Sequence, residues 1–507
     1  METEIQGFYR NKTVFITGGT GFLGKVVIEK LLRTTEVKKI YSLTREKRGK
    51  DIKERVEIWR NDPFFKTLRE TKPSAFDRVL PVAGNCLAPD LGLSEVDRRV
   101  LTSEVQIVIH GAATVRFNEP LHVALAINTR ASRLMVQLAR DMRHLVAYLH
   151  VSTTFSNCFI FRVKEIFYPE HLSCGSEKVL ALSQLVSPQV LDDMESALRG
   201  SFPNTYTYTK ALAEDVVLKE CEGLPISIFR PAIITATWKD PVAGFIDNLY
   251  GPTAMGYGTG RGILRLTSYK RNHRSNIVPA DLCGNLVLAS LWHTANEHSK
   301  VPRRDPSIQP TIYALAPTET NDLFSQDLVK MALESRKTSA LTKMIWYPFC
   351  YNVSSPRLFP ILAFFYHTLP GYFFDLALQL SGRKPRLVKI YRKLHSGLAL
   401  MKYFLQNNFY FDIKNSDRLF TLMSQEDRCL YDFDMENVDW RDYLNKSIRG
   451  IRFYLAKDDP TEESIQRAQR LLKKLKFVHY SFVTLLCCIS GLLLWFLIKF
   501  LCNLISC

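Results

Sequence analysis

No C-x-x-C pair occurs among the eleven cysteines of this 507-residue chain. Cys86, Cys158, Cys174, Cys221, Cys283, Cys350, Cys429, Cys502 and Cys507 are scattered, and Cys487 and Cys488 lie inside an apolar run. That usage excludes a disulfide framework and a thiolate zinc site, and it fits reduced cytosolic thiols; no metal site is expected. The N-terminal METEIQGFYRNK has no apolar h-region, so no signal peptide is read there and the bulk of the chain is expected to face the cytosol. Internal repeats and low-complexity tracts are missing, and a prenylation box is excluded because Leu504 stands fourth from the end. Acidic residues are in short supply, 50 against 67 basic, leaving a formal charge of +17. The excess asks for an anionic partner: nucleic acid, an anionic membrane surface, or a phosphorylated cofactor or substrate. Nucleic acid is the weakest of these, since no recognition motif accompanies the basic residues.

What is present is a folded chain, 46% hydrophobic and 11% aromatic, long enough for two or three units. From residue 13, short apolar runs alternate with helical ones. Thr13–Thr17, Ile40–Leu43, Val79–Val82, Val105–His110, Val146–Val151 and Ile226–Phe229 read as strands, with helices at Gly24–Arg33 and Leu121–Arg140. That alternation means an α/β fold with a doubly wound parallel Rossmann sheet. Beyond about Thr318 the rhythm fades. The aromatic- and proline-rich stretch over 340–380 carries Pro360, His367, Pro370 and Asp375, poor for a spanning helix. It reads as a membrane-lying segment, an acyl-lining segment or ordinary helical core. Arg383, Lys384, Arg386, Lys389, Arg392 and Lys393 follow, a basic face for solvent or for anionic lipid. Phe477 to Ile498 is almost wholly apolar, and as a helix spans roughly 33 Å, enough to cross a bilayer. Arg467, Arg470, Lys473, Lys474 and Lys476 precede it, so the positive-inside rule keeps that side cytosolic.

Thr17-Gly18-Gly19-Thr20-Gly21-Phe22-Leu23-Gly24 follows the first strand and opens a helix. Gly18 allows a tight turn, Gly21 lets the backbone approach a pyrophosphate, and Gly24 lets helix and strand pack closely. The helix N-terminus supplies amide hydrogens to the phosphates. Gly19 to Lys25 also fits G-x-x-x-x-G-K, but a nucleotide triphosphatase needs Ser or Thr next, and Val26 stands there. An NAD enzyme would carry an acidic residue at the end of the second strand. Here that strand ends Ser42-Leu43-Thr44-Arg45, with Glu46, Lys47 and Arg48 after it. Guanidinium groups match a 2′-phosphate, so NADPH is the cofactor expected, with Arg45 and Arg48 beside it.

Tyr206 and Lys210 form a Y-x-x-x-K pair on one helical face. The ammonium is expected to lower the phenol's pKa and hold the nicotinamide ribose, and the phenol to give a proton to an oxygen as hydride reaches its carbon. Tyr208 has the wrong spacing and reads as packing. Ser152 and Thr153, at the end of the Val146–Val151 strand, can hydrogen-bond a substrate carbonyl, Thr153 first. Asn128, in the preceding helix, reads as structural ahead of anchoring a water near the lysine.

Together these residues resemble the fatty acyl-CoA reductase family of the extended short-chain dehydrogenase/reductase superfamily. The resemblance covers nearly the whole chain: TGGTGFLGK (17–25), HGAATVRFNE (110–119), VSTTFSN (151–157), PNTYTYTKALAE (203–214), FRPAIITATWKDPVAGFIDN (229–248) and GTGRGILR (258–265). It implies a reductase domain over 1–318, a mainly helical C-terminal domain over 340–450 and a transmembrane anchor at 477–498. It implies reduction of a long-chain acyl-CoA to a primary alcohol in two hydride steps with release of CoA, and access to a bilayer. The implied catalytic set is Tyr206, Lys210 and Thr153 or Ser152. The implied cofactor set adds Gly18, Thr20, Gly21, Phe22, Leu23, Gly24, Arg45, Arg48, Asn85, Ala112 and Pro231. Asn85 departs from the family, which usually has Asp there against the adenine; weakened binding is expected. The stretch of roughly 157–200 is an insertion able to cover the substrate. Endoplasmic reticulum and peroxisome are the membranes this implies. A reductase of another lipid or sterol carbonyl is the alternative enzyme, and a tethered NADPH-binding scaffold without turnover the alternative class.

Overall fold

The computed structural model describes residues 2–46, 49–300 and 309–505. Seven strands form one parallel sheet: β1 (Thr13–Thr17), β2 (Lys39–Thr44), β3 (Val79–Ala83), β4 (Ile107–His110), β5 (Ala147–Val151), β6 (Ile226–Pro231) and β7 (Thr311–Leu315). Their order is β7-β6-β5-β4-β1-β2-β3. The first six lie within two residues of their expected places; β7, the run TIYAL, was not among the expected strands. The order reverses between β1 and β4, and there the carboxyl ends of the strands open a crevice. Thr17 of β1 pairs with His110 of β4, and His110 with His150 of β5.

Apart from the edge strand β3, whose Pro81 and Ala83 are exposed, the strands are buried on both faces because helices cover both, which explains their continuous apolar runs. Phe15, Val108, Tyr148, Ile228 and Ile312 from the sheet pack with Met135, Val136 and Ala139 of the Ala131–Asp141 helix. The Phe22–Thr34 helix meets the Ala280–Ser299 helix so closely that a Cβ on Gly284 would stand 2.8 Å from a Val26 methyl. The expected helix over Leu121–Arg140 is interrupted by a π turn at Leu125–Arg130, which carries Asn128.

Two compact units are present. The first comprises the chain up to Asp247, Asn272–Ser325 and Tyr403–Ser447. In it, the insertion after β5 folds into short helices whose Val179, Leu180, Leu191 and Leu198 pack on Tyr208 and Leu212 of the Thr205–Glu220 helix. The second comprises Asn248–Arg271, Gln326–Lys402 and the chain from Ile448 onward. It contains the helix Leu358–Leu380 and a long helix, Glu462–Ile505, whose apolar side chains are exposed.

Candidate active site

The glycine loop is built as its sequence requires. Gly18 has φ +78°, and a Cβ there would collide with the Gly111 backbone at 2.8 Å. A Cβ on Gly24 would lie 2.2 Å from the Gly18 carbonyl oxygen, so no other residue fits. Gly21 caps the Phe22–Thr34 helix without any side-chain bond, leaving the first amides of Phe22, Leu23 and Gly24 free of a side-chain cap. Lys25, which a triphosphatase would aim at phosphate, is buried between Asp62 (2.7 Å) and Asp247 (2.5 Å).

Of the other expected cofactor residues, Ala112 stands beside the loop. The Ala112 amide donates to Thr17 Oγ1 at 3.1 Å, fixing the crossing of β4 beside the loop. Asn85, at the end of β3, uses its side-chain oxygen to accept the Leu87 N–H at 3.1 Å, which closes a local turn. Arg45 is exposed at the end of β2, while Arg48 lies outside the described residues. Arg55 was not anticipated. From the Ile52–Arg60 helix its guanidinium donates to Thr20 Oγ1 at 2.9 Å and to the Arg45 carbonyl. Burial and the neighbouring Arg45 charge lower its pKa from the usual arginine value. Arg55 therefore holds its guanidinium at the outer rim of the loop, against the Arg45 backbone. Nothing in the sequence singles out Arg55, one of many basic residues in an amphipathic stretch.

The Thr205–Glu220 helix is started by Asn204, whose side chain accepts the Thr207 N–H at 2.9 Å. This cap places half-buried Tyr206 in the first turn, facing the end of β5. Thr153 meets it: its hydroxyl hydrogen-bonds the phenol, accepts the Phe155 N–H at 3.2 Å and reaches the Pro231 carbonyl at 3.5 Å. Burial pushes the phenol up to about 12, and the Thr153 bond only partly opposes this. This differs from the expected lowering by lysine. The Lys210 ammonium is drawn to the Val151 carbonyl at 2.6 Å, and burial brings it down to about 8 against the pull of the Glu214 carboxylate. A phenol so placed stays protonated at neutral pH.

Ser152 is directed elsewhere. Its hydroxyl donates to Glu214 Oε1 at 2.5 Å, and Ser156 joins at 3.1 Å. Glu214 is paired with Arg230 in a buried ion pair (2.6 and 2.9 Å), and Arg230 also donates to the Lys164 and Ile166 carbonyls. This network fastens the helix bearing Tyr206 to β6. Asn128 clamps the Thr114 backbone in both directions and donates to Thr209 at 3.0 Å, a structural role. Tyr208 is buried against Phe202 as packing.

Aromatic rings stand over the phenol. Phe117 stacks on Tyr206 with centroids 5.9 Å apart, and Phe404 packs on Phe117 at 5.2 Å and on Phe155 at 5.5 Å. Phe409 and Phe411 complete the cluster. Phe404 comes from far along the chain, and no local pattern marks it as part of the site. A hydroxyl pair beneath an aromatic ring, on the edge of the sheet that also carries the glycine loop, suits carbonyl reduction next to an apolar group.

Comparison with known proteins agrees. Residues 16–287 and 366–458 each match a sequence family described as "Male sterility protein". The fatty acyl-CoA reductase wat of Drosophila melanogaster is 39% identical over 500 residues, covering 98% of this chain and 94% of that protein. This chain belongs to the fatty acyl-CoA reductase family. Human fatty acyl-CoA reductase 1 is 32% identical over 483 residues, covering 95% of this chain and 92% of its own length. In fold, the chain resembles the reductase domain of a nonribosomal peptide synthetase from Mycobacterium tuberculosis. The TM-score is 0.57 at 17% identity, with 88% of this chain and 93% of that one covered. The terminal reductase domain of the myxalamid pathway gives 0.55 at 18% identity, with 87% and 90% covered. Membership in the family makes the chain an oxidoreductase with a nicotinamide-binding domain.

Proposed function

We propose that this chain reduces long-chain fatty acyl-CoA to primary fatty alcohol, using NADPH and releasing CoA. The observation that carries the proposal is the Tyr206–Thr153 hydroxyl pair under Phe117, at the carboxyl end of β5 on the same edge of the sheet as the glycine loop. The site residues fit the cofactor: only glycine fits at position 24, the helix start lacks a side-chain cap, and Arg45 and Arg55 offer guanidinium groups for a 2′-phosphate. Bound there, NADPH supplies hydride.

Thr153 and Tyr206 hold the thioester oxygen, and the phenol donates its proton as that oxygen gains charge. The resulting hemithioacetal breaks its carbon–sulfur bond, the thiol of CoA leaves, and an aldehyde remains. The same two hydroxyls then hold the aldehyde oxygen for a second reduction, and Tyr206 protonates it to the alcohol. Each round consumes one hydride and one proton. Lys210, beneath the phenol, positions the ribose and supplies positive charge. The aromatic cluster excludes water and accepts the first carbons of the acyl chain. The Phe477–Ile498 run anchors the protein, residues 1–318 carry the reductase and 340–450 the family's second domain. The catalytic face is cytosolic, at the endoplasmic reticulum or peroxisome.

The test is alcohol formation from saturated and unsaturated acyl-CoAs, with NADPH or NADH, by membranes bearing wild type or Tyr206→Phe. Alcohol from wild type with NADPH, and at least about a 100-fold loss in the variant, is expected. Product from no chain length would overturn the assignment.

A further inference from the structure

The helix Leu358–Leu380 has two unlike faces. One is fastened to protein through polar atoms. His367, wholly buried at 0% exposure, accepts the Arg265 and Leu266 N–H groups at 3.0 and 3.3 Å. Gly371 lies so near Tyr391 that a Cβ would come within 2.9 Å of its ring. The Asp375 carboxylate accepts the N–H groups of Arg386, Leu387 and Val388 at 2.8 to 2.9 Å. The other face is large, apolar and open: Ile361, Phe365, Tyr372, Phe373, Leu376 and Leu380 project from it, with Phe373 65% exposed. A contiguous apolar surface of this kind on a folded unit marks a contact with something apolar.

Trp346 fixes the level of this helix against the long C-terminal one. Its ring packs on Phe374 and on Phe482, both at 6.1 Å, and its indole N–H donates to His479 at 3.1 Å. His479 and Phe482 stand at the start of the Phe477–Ile498 run, so the open face lies beside the point where that run begins. Charge points the same way. Between residues 345 and 402 the only acidic residue is Asp375, which is committed to backbone amides, against eight Lys and Arg. Arg383, Lys384, Arg386, Lys389, Arg392 and Lys393 are exposed immediately after the helix.

We propose that Leu358–Leu380 lies in the plane of an anionic bilayer surface, with its open face among the acyl chains and the basic residues on the headgroups. The proposal rests on reading Phe477–Ile498 as the membrane anchor. The helix does not cross, because its inner face would carry His367, Asp375 and the backbone amides they hold into hydrocarbon. Amphipathic helices with basic flanks bind in this way, each cation near the surface adding to the attraction for anionic headgroups. The consequence is a second membrane contact, made by a folded helix rather than by the anchor.

The experiment is photolabelling of the full-length protein in vesicles of mixed phosphatidylcholine and phosphatidylserine, using a bilayer-soluble carbene reagent with peptide mapping. The expected result is label throughout Phe477–Ile498 and on Phe365, Phe373 and Leu376, with none on His367 or Asp375. In phosphatidylcholine alone, label on Phe365 and Phe373 should fall by about threefold or more while Phe477–Ile498 is unchanged. Label confined to Phe477–Ile498 overturns the in-plane helix and leaves the anchor standing. Label on both faces of Leu358–Leu380 overturns it in favour of a crossing helix. No label on either segment overturns the anchor, and this inference with it. Equal labelling in the two lipids overturns the headgroup contact.

Discussion

Lys210 is a buried cation held below the ordinary lysine value. Burial brings it down to about 8, so its charge is present below that pH and is lost as pH rises through it. A proton-coupled reduction that depends on this cation should therefore show an alkaline limb near pH 8 in kcat/KM. Lys210→Arg, which keeps its charge to far higher pH, should move that limb upward even if the rate falls; a limb that stays in place would detach Lys210 from the chemistry. Arg55 makes a second case. Removing it as Arg55→Ala loses a charge-assisted contact, and KM for NADPH should rise about 10- to 100-fold while the NADH value barely moves. Equal changes with the two cofactors would assign Arg55 to holding Thr20 alone. These two residues were unequally legible. The Y-x-x-x-K spacing exposes Lys210 to any reader. Arg55 becomes meaningful only when the Ile52–Arg60 helix folds its guanidinium back onto Thr20.

Among elements, the Thr205–Glu220 helix depends on a bond it makes to β6. Glu214→Ala would strand the buried Arg230 guanidinium and remove the partner of Ser152 and Ser156. Loss of about 3–5 kcal/mol is expected in denaturant unfolding, with Tyr206 and Thr153 unchanged in sequence yet inactive at ordinary temperature. A smaller effect than about 1 kcal/mol would show that water replaces the carboxylate. The elements themselves were readable where chemistry is local. An apolar run followed by T-G-G-T-G-F-L-G can do little other than end a strand and start a helix. The π turn at Leu125–Arg130 left no such trace, because an extra residue in a helical turn changes no composition. β7, the run TIYAL, was missed as well: a short apolar run cannot by its pattern alone be told from buried helix.

At the scale of the whole molecule, the proposed membrane attachment and the catalysis should be separable by charge. Two arginines within the exposed apolar run, Leu486→Arg with Leu493→Arg, should cost about 5–7 kcal/mol of insertion. Most of the protein should then be released by alkaline carbonate, with turnover of dispersed acyl-CoA retained; protein still resistant to that extraction would discount the run as the anchor. The composition revealed that run at once, since nothing in a water-soluble core needs it so long. What no periodicity revealed is that Tyr403–Ser447 belongs with the sheet rather than with the residues on either side of it. Hydrophobic pattern reports which face is buried, and it is silent about which distant segment does the burying.

That late segment also sets a schedule. Phe404 packs on Phe117, the ring stacked on Tyr206, and the first unit is closed only by residues up to Ser447, roughly 120 residues after Ser325. At a synthesis rate of about 5–20 residues per second, the nascent sheet and its glycine loop must wait on the order of 10 s for the rings that cover the phenol. For that interval Phe155 lacks the rings it packs against and Phe117 has only Tyr206, and a cell making this enzyme has to keep both from finding another partner.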